Sequence, residues 1–86
     1  MIIWAYPITD SYGKSLNLPW IVVRANNEPE AKKIVDSVVK NGEVVQAGHL
    51  VPSKAAAKWN KIFDTNGVNF STTGEDDGTG YPICGP

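Results

Sequence analysis

Apolar residues fall in separate runs along this chain, and their spacing changes from run to run. At the start, Ile2, Trp4 and Tyr6 alternate with Ile3, Ala5 and Pro7, the two-residue period of a strand. Pro7 marks the strand's end or an edge, because its nitrogen has no hydrogen to donate. Asp10 to Leu18 is polar and reads as a loop. If the strands on either side are antiparallel neighbours, this loop is the tip of their hairpin. Pro19 then opens a second strand. Trp20-Ile21-Val22-Val23 is apolar at every position, so both of its faces are expected to be at least partly covered.

The period then lengthens. Ala31, Ile34, Val35, Val38 and Val39 recur at steps of three and four, which predicts a helix over Glu28 to Lys40. Asn27 suits its N-cap, with Glu30 three residues on, and Pro29 sits in the first turn. Asn41-Gly42 provides a left-handed stop. Glu43 to Val51 reads as a third strand, reached by a crossover long enough for a right-handed parallel unit. Pro52-Ser53 opens a second helix over Lys54 to Phe63, with Ser53 as N-cap. Its apolar face holds Ala55, Ala56, Trp59, Ile62 and Phe63. Asp64 to Gly67 stops it. Val68 to Thr72 is a short fourth strand, with Val68 and Phe70 turned to the core. The pattern predicts an α+β fold of order ββαβαβ. The simplest packing is a two-layer sandwich, a four-stranded mixed sheet with both helices on one face. Residues 1–73 form a single domain, and residues 74–86 an irregular, acidic, Gly/Pro-rich tail.

Composition narrows this picture. With 86 residues, 42% of them hydrophobic and 20% charged, the chain belongs with globular domains rather than disordered segments. Its single cysteine excludes an intramolecular disulfide, so the core must stabilise itself. The first residues lack the basic region of a signal peptide, and the apolar runs are short of the ~20 residues that cross a bilayer. A cytoplasmic location is expected. The net charge is −1, and Glu75, Asp76 and Asp77 concentrate negative charge in the tail. That balance signals no bulk attraction to nucleic acid or membrane.

The chemistry-bearing residues are few. His49 would need a nucleophile or an orienting carboxylate to act as a base, and none is near in sequence. It shares its expected strand face with Val45, Ala47 and Val51, which suits a packed histidine. As a nucleophile Cys84 would need a base or a helix N-terminus to lower its thiol pKa, and it lies two residues from the end of the sequence in the Gly/Pro tail. A small enzyme built on His49 or Cys84 is therefore the third-ranked reading. One histidine and one cysteine do not make a zinc site, and no phosphate loop is present. No metal, cofactor or catalytic residue is expected.

Two surface features remain. Lys54, Lys58 and Lys61 form a stripe along the second helix that could rest on phosphates, or simply be a solvated face. Trp4 and Trp20 lie on neighbouring strands of a sheet with helices for only one face. Trp4, Tyr6 and Trp20, with Tyr12 in the loop, are the expected partner-binding residues. They are equally suited to the core beneath the helices. The leading expectation is a small non-enzymatic protein-binding module that docks through an aromatic sheet face or edge, on another protein or on itself as a homodimer. By compositional analogy, such chains include phage inhibitors of host defence enzymes. A nucleic-acid binder using the lysine stripe is the alternative.

Overall fold

The computed structural model describes residues 2–72, 75–76 and 82–83. Strands β1 (Ile2–Thr9) and β2 (Ser15–Ala25) form a hairpin, followed by helix α1 (Glu28–Val38), β3 (Val44–Val45), β4 (His49–Leu50), helix α2 (Ser53–Asn66) and β5 (Phe70–Ser71). β1 and β2 are the centre of the sheet. β3 and β4 pair in turn with the outer edge of β1, and β5 pairs with β2. The α+β class and the element order up to β5 are those predicted from the pattern, with the third strand divided in two.

Every pairing between neighbours is antiparallel, so the sheet is not mixed. The crossover through α1 does join parallel strands, but β1 lies between them. A second correction concerns the helices, which do not share a face. Ile3, Ala5, Trp20, Val22 and Val51 pack with Trp59 and Phe63 of α2. Tyr6, Ile8, Ile21, Val23 and Ala25 pack with Ala31 and Val35 of α1. Successive strand residues point to opposite faces, so these two sets are opposite sides of one sheet. The arrangement is helix, sheet, helix. The unbroken apolar run from Trp20 to Val23 follows directly, since both of its faces are buried.

Local signals explain most boundaries. The Asn27 side chain accepts from the Glu30 N–H at 3.0 Å, capping α1. α1 ends at Val38, and Val39 is already extended, so Asn41-Gly42 lies beyond the helix, with Gly42 at φ 90 in the following turn. α2 starts at Ser53 itself, and Pro52 rather than Ser53 occupies its cap, without a side-chain bond. Gly67 closes it in the left-handed conformation, its N–H donating to the Phe63 carbonyl. At the hairpin tip, the Asp10 carboxylate accepts from the N–H groups of Tyr12 and Lys14. β2 begins at Ser15, not Pro19. Four residues separate Ser15 from Trp20 where only Ile8 separates their β1 partners, so β2 bulges over Leu16–Pro19.

A second bulge divides β3 from β4. Three residues lie between Val45 and His49, but two between their β1 partners Ile8 and Ala5. The extra residue flips the side-chain alternation. Val45 therefore packs towards α1, whereas His49 and Val51 turn towards α2 and do not share its face. Gly48 lies in this bulge against the ring of Tyr6, so close that any Cβ there would overlap the ring. Pro7 sits mid-sheet beside both bulges, its carbonyl accepting from the Gln46 N–H at 2.8 Å. Arg24 ties β2 to the end of α2. Its guanidinium pairs with Asp64, donates from Nη2 to Asn69 Oδ1 at 3.0 Å, and lies over the Phe63 ring. Val68 and Phe70, expected in the core, are 39% and 40% exposed. Beyond β5, β6 (Glu75–Asp76) pairs antiparallel with β7 (Pro82–Ile83). The expected boundary between residues 73 and 74, and Cys84, lie outside the described residues.

Candidate interaction surface

One helix cannot cover one face of this sheet. Four strand positions at about 4.8 Å span roughly 19 Å, whereas a helix with its side chains is about 10 Å across. The register shows what is left over on the α1 side. Leu50 is opposite Trp4, Trp4 opposite Val23, and Val23 opposite Phe70, so these four residues form one row across the sheet. α1 buries the middle of that row at Val23, while Leu50 is 54% exposed at one end and Phe70 40% at the other.

The β4 end is the larger patch. Ile2 is two residues from Trp4 on the same face and 42% exposed. Trp4 is half-buried, its indole N–H donating to the Ala25 carbonyl at 3.4 Å. Ile2, Trp4 and Leu50 are therefore a continuous apolar strip beside α1. Leu50 escaped the sequence reading, although alternation from His49 and Val51 already pointed it to the other face. What hid it was the assumption that helices cover only one side.

The other expected contact residues lie elsewhere. Tyr6 is only 2% exposed, and Trp20 is buried with its ring edge-on to His49 at 5.4 Å between centroids. Both belong to the core, because each faces a helix of its own. Tyr12 is 89% exposed at the hairpin tip, the far end of the β1–β2 ladder from Trp4. The Tyr6 hydroxyl is buried and has no hydrogen-bond partner among the described residues. Burial, then the negative charges of Glu28 and Asp36, push its pKa above the usual 10.0.

Lys54, Lys58 and Lys61 are exposed along the outer face of α2. Asp64, the acid of that helix, is engaged by Arg24, and among the described residues none of the three lysines has an ion-pair partner. Among the described residues no group of three or more His, Cys, Asp or Glu could hold a metal ion. No helix among the described residues is long and apolar enough to cross a membrane. No family model matches the chain, and no curated protein or solved structure matches it.

Proposed function

We propose that this chain is a non-enzymatic protein-binding module that docks through the strip formed by Ile2, Trp4 and Leu50. The observation that supports it is the row from Leu50 to Phe70, whose centre α1 covers and whose ends it leaves open. Adjacent exposed apolar side chains of this kind mark interaction sites more often than scattered ones do. Fully burying one such side chain contributes about 1.5–3 kcal/mol. Three that are already partly buried offer a few kcal/mol between them, well short of the ~8 kcal/mol of a micromolar complex. The strip thus acts as the anchor of a larger interface with a polar rim.

The test compares capture from source-cell lysate by wild type, Leu50→Asp and the control Lys58→Glu, with sedimentation of each free protein. Wild type and Lys58→Glu should retain the same partner, or the same self-association, and Leu50→Asp should lose it. Equal retention by Leu50→Asp refutes the reading. So does a wild-type protein that stays monomeric and captures nothing.

The unpaired lysines favour one second reading, in which α2 rests on a phosphate backbone. Three phosphate contacts predict affinity falling about 40-fold between 50 and 200 mM salt on duplex DNA. Titration with a DNA duplex at both concentrations separates the two readings, and no binding at the lower salt removes this one.

A further inference from the structure

The strip has a wall as well as a floor. On α1, Glu28, Lys32 and Asp36 recur every fourth residue and so share one flank of the helix. The negative charges of Glu28 and Asp36 act on the hydroxyl of Tyr6, a β1 residue that packs with α1. α1 runs back along the sheet from the Ala25 end of β2, so Glu28 stands beside Ile2 and Asp36 lies two turns further on. Across from this wall is the short, bulged edge at β4. The floor between them is apolar and, with α1 over the centre of the row, roughly 5 Å wide, so an occupant helix overhangs the β4 edge. Among the described residues neither Glu28 nor Asp36 is ion-paired, so the wall keeps an excess of negative charge. The bulges on both sides of β1 leave no long regular edge for an added strand.

We infer that the occupant of this trough is an amphipathic helix of the partner, lying beside α1 with its apolar face on Ile2, Trp4 and Leu50 and basic residues against Glu28 and Asp36. This rests on the docking reading and deepens it. The occupant completes the sheet face as a second helix of the same layer would. Its apolar stripe replaces water over the strip, and its lysines or arginines meet the carboxylates at the rim. Charge at the rim selects among helices that all present the same apolar face.

The experiment uses the whole chain, labelled with ¹⁵N, and three synthetic 14-residue probes. One has a leucine stripe with lysines elsewhere. The second replaces those lysines by glutamates. The third is the lysine peptide with a central proline that breaks the helix. The lysine helix should shift the Trp4 indole and the Ile2 and Leu50 amides. It should bind about tenfold more tightly than the glutamate helix, a difference of about 1.4 kcal/mol. Glu28→Gln with Asp36→Asn should abolish that preference. Shifts confined to Phe70 or α2, or no shift at all, overturn the inference. Equal binding of the two helices overturns the charge assignment, and equal binding of the proline peptide overturns the helical one. Either of those two results leaves the docking strip standing, whereas unchanged capture by Leu50→Asp removes the strip itself.

Discussion

Replacing Tyr6 by Phe should stabilise the protein. The Tyr6 side chain is sealed in the core, yet its hydroxyl has no hydrogen-bond partner among the described residues. Burying an unbonded hydroxyl costs about 1–3 kcal/mol, and Phe removes that cost while keeping the ring under Gly48. Stability at neutral pH should therefore rise by about 1–3 kcal/mol. In a domain of this size each kcal/mol moves the Tm by about 4–8 °C. The pH dependence gives an independent check. Burial first, then Glu28 and Asp36, raise the Tyr6 pKa above 10.0 in the folded state. The unfolded chain loses that proton near pH 10, while the folded chain holds it. Stability linked to Tyr6 is complete below pH 10 and is lost as pH rises beyond it. The advantage of Tyr6→Phe should then widen on the alkaline side. Circular dichroism melts of both proteins at pH 7 and about pH 10.5 measure both effects. A variant that melts below wild type at pH 7, or a gap that does not grow with pH, would show that the hydroxyl is bonded and the reasoning wrong.

Gly48→Ala should destabilise by about 1–3 kcal/mol in urea unfolding, because the new methyl overlaps the Tyr6 ring and one of them must shift. Arg24→Ala should cost about 1–2 kcal/mol in the same assay, through lost bonds to Asn69 and lost packing on Phe63. Asp64→Asn should cost less than about 1 kcal/mol, because that carboxylate is mostly exposed and screened. Asn27→Ala should cost about 1 kcal/mol, read as a lower urea midpoint, since the Glu30 N–H loses its cap. Leu50→Asp should leave the unfolding free energy within about 0.5 kcal/mol of wild type, because about half of the side chain is in water already.

Much of the architecture was legible from periodicity and caps. The alternation from Ile2 to Ile8, the helical spacing from Ala31 to Val38, and the Asn27 and Gly67 signals each acted where their local chemistry indicates. The layering was not read correctly, although the residues carried it. Ile3 and Ala5 are as apolar as Trp4 and Tyr6, and a strand apolar on both parities must be covered twice. A single helix layer leaves one face bare, and on that face Tyr6 and Trp20 suit a contact surface as well as a core. Strand direction was not legible. A helix of eleven residues spans an adjacent parallel strand or a strand one place further equally well, and only tertiary pairing decides. The bulges were hidden for a similar reason. Ala47-Gly48 resembles ordinary strand sequence with a small residue, and its role emerges only from the Tyr6 ring beside it. Of the interaction strip, Ile2 and Trp4 were visible as one strand face. Leu50 depended on knowing that β4 pairs with β1.

The account stands on α1 and α2 lying on opposite sides of the sheet, each too narrow to cover its face. Side-chain nuclear Overhauser spectra test this directly. The account predicts cross-peaks from Ala31 and Val35 to Tyr6 and Val23, from Trp59 and Phe63 to Ile3 and Val22, and none between the two helices. Cross-peaks joining Val35 to Trp59 or Phe63, or α1 residues to Ile3 and Val22, would contradict it.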